Sequence, residues 1–371
     1  MKKDSKIYVA GHRGLVGSAI LQTLKNKGYT NFVTRIHAEL DLVDSAAVAQ
    51  FFEQEKPEYV FHAAAKVGGI VANDTYRADF IYANLMIQNN VIHQSYLHGV
   101  KKLLFLGSTC IYPKNSPQPM KEEYLLTDTL EFTNESYAIA KIAGIKMCES
   151  YNLQYDTNFI SVMPTNLYGP NDNFDLEKSH VLPALVRKIH LGKALENDNW
   201  DAIRADLEKR PIAGVDGVAD KKEILSKLKE FGISVNNNSN SNNEVSVEIW
   251  GSGKPMREFL WSEDMADACV FLMENTDFKD VAASSPQNGG EIRNTHINIG
   301  TGQDVSIKAL AHKIQKIADF NGKFVFNSEK PDGTLRKLTD VSKLHQLGWE
   351  HDVNLEEGLQ KIYDWYIQEL N

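Results

Sequence analysis

The chain has few cysteines and no excess of positive charge. Its three cysteines among 371 residues, Cys110, Cys148 and Cys269, are widely spaced. They form neither a disulfide framework nor a zinc-ligand pattern, so no metal site is predicted. No apolar run is long enough to cross a bilayer, and no signal peptide precedes the first apolar run, so we expect a cytoplasmic protein. The formal net charge of −9 argues against nucleic acid or an anionic membrane surface as a partner.

Strand and helix patterns alternate through the first half of the chain. Candidate strands are residues 7–10, 32–34, 59–63, 102–106 and 158–163, with helical patterns at 80–97 and 138–153 between them. This alternation predicts an α/β fold with a Rossmann-type, doubly wound parallel sheet. We expect a nucleotide-binding domain over residues 1–178, joined again by segments near 250–300. A smaller C-terminal substrate-binding domain is expected over residues 179–371.

A glycine-rich turn follows the first strand and leads into a helical pattern. Its glycines have the spacing G-x-x-G-x-x-G, which differs from the usual G-x-G-x-x-G. Glycine allows the backbone to turn sharply and to approach a pyrophosphate closely, while the helix N-terminus supplies free N–H groups. The alternative is a tight turn without a ligand. The residues that we predict to bind a dinucleotide are Gly11, His12, Arg13, Gly14, Leu15, Val16 and Gly17.

Two arginines indicate which dinucleotide is bound. Arg35 follows the second strand, at a position where NAD enzymes usually carry an acid that binds the ribose hydroxyls. Arg13 lies within the glycine turn. Because guanidinium groups bind phosphate in a fork geometry, this pair favours the 2′-phosphate of NADP(H). The alternative is that both arginines are solvated surface charges.

Ser108, Tyr137 and Lys141 form a candidate proton-transfer set. Tyr137 and Lys141 are four residues apart on a predicted helix and therefore share a face. The ammonium group should lower the pKa of the phenol, which can then exchange a proton with an oxygen at the carbon that gains or loses hydride. Ser108, just after strand 102–106, would hydrogen-bond the same oxygen. For the Tyr-x-x-x-Lys pair alone, a packed aromatic beside a surface cation is the favoured interpretation. The glycine turn and Ser108 together favour the proton-transfer set instead.

Cys110 and His180 are candidates for a second acid/base pair. Cys110 lies two residues after Ser108, and His180 begins a predicted helix over residues 179–191. A cysteine and a histidine that reach one sugar ring could epimerise carbons next to a ketone, where the protons are already acidic. The alternative is a small buried residue and a helix-end side chain.

Residues 194–244 resemble an insertion. Within it, Asp220 and Glu223 have the spacing of a capping box before an apolar stripe that ends at Gly232. The asparagine- and serine-rich residues 236–243 cannot pack a core, and we expect a mobile surface loop there.

Six motifs resemble the GDP-L-fucose synthase family of extended short-chain dehydrogenase/reductases, and the likeness covers nearly the whole chain. They are GHRGLVG (residues 11–17), HAAAKVGGI (62–70), LGSTCIYP (106–113), PTNLYGP (164–170), WGSG (250–253) and PMREF (255–259). The resemblance implies epimerisation of the third and fifth carbons of GDP-4-keto-6-deoxy-D-mannose by Cys110 and His180. Reduction of its ketone by NADPH would follow, with Ser108, Tyr137 and Lys141 as the reductase residues. It also implies a homodimer.

The resemblance also implies binding residues. Besides the glycine turn, the segment with Arg35 and Asp41 would hold the adenosine end of the cofactor. Further contacts to NADP are implied for Leu106, Gly107, Ser108, Thr109, Lys141, Pro164, Thr165, Asn166, Leu167 and His180. Substrate contacts are implied for Lys188, Trp250, Arg257 and Asp332. Of these, Lys188 and Arg257 could neutralise the diphosphate locally.

The insertion departs from the family, which has a short link at this point. It could be a lid, an oligomer contact or a neutral surface addition. We favour the neutral addition, because long surface loops cost little stability. Deletion of residues 199–243 should then leave turnover within a few-fold.

Two other classes of function remain open from the residues: a neighbouring nucleotide-sugar enzyme and a non-catalytic regulator. A nucleotide-sugar 4,6-dehydratase would carry a carboxylate where Thr109 and Cys110 stand, and a 4-epimerase would suit an acid better than Arg35. A non-catalytic NADPH-binding regulator could share the fold, although such proteins commonly lose the tyrosine or the lysine that this chain keeps at positions 137 and 141.

Overall fold

Contacts within the computed structural model divide the chain into two units. The first comprises Met1–Leu167, Glu258–Gln303 and Leu338–Val353; the second comprises Tyr168–Arg257, Asp304–Lys337 and Asn354–Asn371. The structure describes residues 1–236, 244–285, 290–330 and 332–370. Across these ranges, no helix has both the length and the apolar character that crossing a membrane requires.

The strands and helices are numbered in chain order. The strands are β1 (Ile7–Ala10), β2 (Phe32–Val33), β3 (Tyr59–His62), β4 (Lys102–Leu106), β5 (Phe159–Pro164), β6 (Asn166–Tyr168), β7 (Ile233–Asn236), β8 (Glu244–Trp250), β9 (Met256–Trp261), β10 (Ile297–Ile299), β11 (Asp304–Ser306), β12 (Lys323–Asn327) and β13 (Arg336–Lys337). The α-helices are α1 (Leu15–Asn26), α2 (Ser45–Glu55), α3 (Ile70–Thr75), α4 (Arg77–Leu97), α5 (Glu135–Tyr155), α6 (Val181–Glu196), α7 (Trp200–Lys209), α8 (Lys221–Glu230), α9 (Ser262–Asn275), α10 (Phe278–Ala283), α11 (Ile307–Ile317), α12 (Ser342–Gln346) and α13 (Leu355–Gln368).

A six-stranded sheet forms the centre of the first unit. Its strand order is β2-β1-β3-β4-β5-β10, and every neighbouring pair is parallel. The chain passes from β1 to β2 and then continues at β3, on the other side of β1. The topological switch point therefore lies between β1 and β3, which is where such sheets bind their ligands.

Alternate residues of the sheet face two separate cores. In β1, Ile7 and Val9 pack into a core with α1 and α9, whereas Tyr8 and Ala10 pack into a second core with α2, α4 and α5. Both faces of a parallel sheet are therefore covered, and its strands are almost continuously apolar. The predicted Rossmann-type α/β fold is confirmed.

The second unit contains a three-stranded sheet of order β12-β8-β7. Strand β12 is parallel to β8, and β7 is antiparallel to it. Helix α6 packs against β8, α7 and α11. Elements α7, α8 and β7 all belong to the predicted insertion. The loop expected over residues 236–243 lies outside the described residues, apart from Asn236, which ends β7.

Candidate functional site

Two glycines of the turn after β1 are required by the backbone itself. Gly11 has φ +80, and a Cβ there would lie 2.8 Å from the backbone nitrogen of Ala64, which follows β3. A Cβ on Gly17 would lie 2.1 Å from the Gly11 carbonyl oxygen. Any larger residue at either position would clash with main-chain atoms, so these glycines bring β1, β3 and α1 together at the switch point.

Gly14 is not required by packing. It is the N-cap of α1, with φ −78 and no side-chain cap, and a Cβ there would meet only the Gly11 carbonyl oxygen, at 3.6 Å. The N–H groups of the first turn of a helix have no partner within the helix. Open space beside unpaired donors at a helix N-terminus fits a dinucleotide phosphate.

The two arginines predicted near the adenosine ribose differ in their surroundings. Arg13 is exposed and forms no ion pair within the described ranges. Arg35 donates to the Thr34 carbonyl at 2.8 Å and to Glu55 at 2.5 Å, which leaves further guanidinium donors for a phosphate. Asp41 is exposed and accepts from the Val43 N–H at 2.9 Å. Partial burial, and then the charge of Arg13, lower the pKa of His12.

Ser108 and Cys110 lie in the short turn that follows β4. The Ser108 hydroxyl caps this turn by accepting from the Cys110 N–H at 3.4 Å, and the Cys110 side chain is buried. A Cβ on Gly107 would lie 2.3 Å from the Met163 methyl, so the Met163 side chain would have to move to admit a larger residue. The turn therefore places Ser108, Thr109 and Cys110 at the carboxyl edge of the sheet, as predicted from their order in the chain.

Tyr137 and Lys141 lie one turn apart on α5. The Lys141 Nζ donates to the Leu106 carbonyl oxygen at 2.7 Å and lies 5.7 Å from the centre of the Tyr137 ring. Burial lowers the pKa of Lys141 to about 8. The expected lowering of the Tyr137 pKa is not seen: burial, and then Cys110, raise the pKa of this phenol above its usual value. Desolvation disfavours the charged form of the phenol, the phenolate.

Pro164 ends β5, and the next residues are held by main-chain contacts. The side chains of Thr165 and Asn166 both donate to the Glu258 carbonyl oxygen, at 3.4 and 2.9 Å, while Leu167 packs against the core around α1. The Glu258 carboxylate is fully buried and accepts from the N–H groups of Thr301 and Thr339 at 2.6 and 2.9 Å. Glu258 thereby holds three segments of the first unit together.

His62 is a residue of this site that our sequence reasoning missed. It ends β3, is 1% exposed, and neither of its ring nitrogens has a hydrogen-bond partner among the residues that the structure describes. Burial, with a smaller effect of the Lys141 charge, lowers its pKa to about 3. The signal in the sequence that could have identified His62 was its position directly before the small residues Ala63–Ala65. A neutral imidazole next to Lys141 adds no positive charge to the site.

Lys188 and Trp250 come together in the second unit. The Lys188 Nζ, on α6, donates to the Glu248 carbonyl at 3.2 Å and lies 5.9 Å from the Trp250 ring centre. Burial lowers the pKa of Lys188 to about 8. Trp250 is 52% exposed, and the Lys330 Nζ lies 5.2 Å from the centre of its ring. Two cations beside one exposed aromatic ring suit an anionic ligand that also carries a planar group.

Arg257 and Asp332 form a second group in the same unit. Arg257 donates to the Met256 and Thr334 carbonyls at 2.8 and 2.6 Å, and burial lowers its pKa. The Asp332 carboxylate accepts from the N–H and the hydroxyl of Ser252 at 2.8 and 2.7 Å. These hydrogen bonds lower the pKa of Asp332. Asp332 thus orders the WGSG turn.

His180 is the N-cap residue of α6, and its side chain is exposed. Desolvation of part of the ring lowers its pKa. Asp172, in the segment before it, was not predicted. One of its carboxylate oxygens is buried without a hydrogen-bond partner in the described part of the chain, and burial raises the pKa of Asp172 to about 7. Its place in the PNDNF sequence between Gly169 and His180 was the available signal.

The insertion is not the neutral surface addition that we expected. Ile203 and Asp206 on α7, and Ile224 and Leu228 on α8, have no exposed surface. Asp220 caps α8 by accepting from the Glu223 N–H at 2.8 Å, which is one of the two hydrogen bonds of the predicted capping box. Burial of these residues argues against the expectation that residues 199–243 can be removed with little effect. The sequence pattern showed the helix but not that it is packed into the core.

Comparisons with known proteins agree with this architecture. The NAD dependent epimerase/dehydratase family matches residues 7–214 and 231–300. GDP-L-fucose synthase 1 of Arabidopsis thaliana is 50% identical over 99% of this chain and 94% of its own length. GDP-L-fucose synthase of Escherichia coli (strain K12) is 47% identical over 98% of this chain and 97% of its own length.

A solved structure gives the same result. The GDP-mannoheptose C4 reductase of Campylobacter jejuni, solved with NADP bound, is 48% identical, covers 99% of both chains and has a TM-score of 0.84. Sequence, fold and the order of the motifs therefore agree. The chain belongs to the NAD dependent epimerase/dehydratase family and, within it, to the GDP-L-fucose synthase family.

Proposed function

We propose that this protein converts GDP-4-keto-6-deoxy-D-mannose into GDP-L-fucose with NADPH as reductant. The third and fifth carbons of the sugar are epimerised first, and the ketone at the fourth carbon is then reduced. The observation that carries the proposal is identity of 47–50% to GDP-L-fucose synthases over almost the full length of the chain. The dehydratase, 4-epimerase and regulator alternatives are not favoured by these relatives.

The first unit supplies the residues for reduction. The space at Gly14 and the N-terminus of α1 would hold the cofactor phosphates, and Arg13 and Arg35 the 2′-phosphate that distinguishes NADPH. NADPH, when bound, supplies the hydride. The raised pKa keeps the Tyr137 phenol protonated at neutral pH, as a group that donates a proton to the ketone oxygen must be. Ser108 donates a hydrogen bond to the same oxygen.

Lys141 supplies the positive charge that compensates for the negative charge formed on Tyr137. With a pKa of about 8, it is an ammonium at neutral pH, anchored by the Leu106 carbonyl. As Tyr137 gives up its proton, the ammonium stabilises the phenolate that forms.

Cys110 and His180 are the proposed acid and base of epimerisation. The ketone acidifies the protons on the carbons next to it, so that a cysteine and a histidine can remove and return them. Lys188 and Arg257 would neutralise the diphosphate, and Trp250 offers an exposed ring against which a planar group can lie. Asp332 orders the turn that carries Ser252.

The test is incubation of purified protein with GDP-4-keto-6-deoxy-D-mannose and NADPH, with the product identified by NMR. Loss of NADPH absorbance together with GDP-L-fucose is the expected result. Without NADPH, deuterium from D₂O should enter the third and fifth carbons. The absence of both NADPH oxidation and deuterium incorporation would overturn the proposal.

A second candidate is reduction of the fourth carbon of a GDP-heptose. It is favoured by the solved heptose reductase, which is as similar to this chain as the named synthases are. A GDP-4-keto-heptose offered beside the deoxyhexose distinguishes the two functions, because the true substrate should have the higher kcat/KM. The homodimer and the cytoplasmic location remain predictions.

A further inference from the structure

A buried ion pair joins the insertion to the rest of the second unit. Asp206, on α7, has no exposed surface, and Arg187, on α6, is 1% exposed. The Asp206 Oδ1 accepts from the Arg187 Nε and Nη2 at 2.9 and 2.8 Å, and the other carboxylate oxygen accepts from the Tyr366 hydroxyl. Removal of one partner would leave an uncompensated buried charge.

The same guanidinium also holds the segment that precedes His180. The Arg187 Nη1 donates to the Phe174 carbonyl oxygen at 3.2 Å. The buried Phe174 ring lies 4.8 Å from the ring of Tyr366, and the Arg210 guanidinium lies 5.3 Å from it. Phe174 is therefore fixed through its carbonyl and through its ring by the group that contains Asp206.

The segment between Phe174 and His180 is shaped by local hydrogen bonds. The Asp175 carboxylate accepts from the N–H groups of Glu177 and Lys178, both at 2.9 Å, and the Ser179 N–H donates to the Asp175 carbonyl at 3.0 Å. These bonds hold the loop's shape, whereas Phe174 attaches it to the helices. Because these bonds hold the segment between Phe174 and His180 in one shape, a shift of Phe174 is passed along the segment to His180.

The insertion touches this loop at a second place. Residues 211–213 and Phe231 line a narrow cleft together with residues 175–177.

Both ends of α7 are also held by side-chain contacts. Asn199 caps its N-terminus, and Lys209, in its last turn, forms an ion pair with Glu369. The insertion thus contacts the loop at residues 175–177 and α6 at Arg187.

We infer that the insertion positions His180. Asp206, acting through Arg187 and Phe174, holds the loop that leads into His180 at the start of α6, and is a positioning residue for the epimerisation step. The inference rests on the proposed function for the role of His180. It gives the insertion a part in the reaction that neither a lid nor an oligomer contact requires.

The test uses two variants and a matched control. Asp206→Asn keeps the side-chain shape but leaves Arg187 without its countercharge. The double variant Arg187→Met/Asp206→Leu removes both charges, and apolar replacement of a buried pair commonly preserves stability, but no donor then remains for the Phe174 carbonyl. Lys209→Gln, which breaks an exposed ion pair on the same helix, is the control.

Three quantities are measured in the full-length protein: the unfolding midpoint, amide hydrogen exchange of residues 174–180, and deuterium incorporation into the substrate. In the double variant we expect a midpoint that falls less than in Asp206→Asn, because no unpaired buried charge remains. We also expect faster amide exchange and a kcat for deuterium incorporation reduced about 10- to 100-fold, as small misplacements of catalytic groups cause. KM should change less than kcat. The control should match the wild type in all three.

Wild-type deuterium incorporation in a stably folded double variant would overturn the inference, because the ion pair would then serve stability alone. Unchanged amide exchange over residues 174–180 would overturn it as well. If the wild type itself incorporates no deuterium, the proposed function fails, and amide exchange still decides whether Asp206 fixes the loop.

Discussion

Replacement of Gly14 by alanine separates cofactor binding from folding. The added methyl would meet the Gly11 carbonyl oxygen at 3.6 Å, an ordinary contact, and the backbone at φ −78 and ψ 168 is accessible to alanine. Folding should therefore tolerate the change, and the reduced entropy of the unfolded chain should stabilise the protein by about 0.4–1 kcal/mol.

The same methyl would occupy the space in which a dinucleotide phosphate must approach α1. If it moves the phosphate away from one first-turn N–H group, a hydrogen bond to a charged group is lost, which is worth about 1.5–3 kcal/mol. The dissociation constant for NADPH should then rise about 10- to 150-fold. Gly17→Ala is the contrasting variant, because its Cβ would lie 2.1 Å from the Gly11 carbonyl oxygen and should destabilise the fold.

Titration calorimetry with NADPH and thermal unfolding without it measure the two effects separately. We expect Gly14→Ala to unfold at or above the wild-type midpoint and to bind NADPH much more weakly. An unchanged NADPH affinity in this variant would refute the reasoning that the space at Gly14 holds the cofactor.

Three further predictions concern the chemistry. The rate of NADPH oxidation should fall to about half of its maximum near pH 8 and further above it, because Lys141 has a pKa of about 8 and loses its charge there; Lys141→Arg should move this decline to higher pH, and a decline left in place would assign it to another group. Cys110→Ser should reduce deuterium incorporation about 10²- to 10⁴-fold while NADPH oxidation continues, and equal losses by NMR and absorbance would contradict separate roles. Arg35→Asp should weaken NADPH binding about 10- to 150-fold, by loss of a bond to a charged phosphate, and should affect NADH little; equal losses for both cofactors in calorimetry would count against a 2′-phosphate contact.

The fold of the first unit was predictable because its signals are local. Strands β1 and β4 have the bounds expected from their apolar runs, since both faces of the sheet are buried. Two glycines of the turn have equally plain causes. Gly17 is required by the nearby Gly11 carbonyl oxygen, and Gly11 is required by the backbone of Ala64, which follows β3.

Other features depend on contacts between distant residues. The four-residue spacing predicted that Tyr137 and Lys141 are neighbours, but not that burial raises the pKa of Tyr137. Asp206 resembles a residue on the polar face of an exposed helix until Arg187 and Tyr366 are brought to it by the fold. Sequence patterns indicate which side chains share a face, but the solvation of a group is decided by the elements that pack over it.

The most direct test of the central claim follows both halves of the reaction in one sample. Protein, NADPH and GDP-4-keto-6-deoxy-D-mannose are mixed, NADPH absorbance is recorded, and the sugar product is identified by NMR. The account predicts NADPH oxidation with GDP-L-fucose as the product. Oxidation that yields an unepimerised GDP-deoxyhexose would contradict the roles given to Cys110 and His180, and the absence of oxidation would contradict the proposed function as a whole.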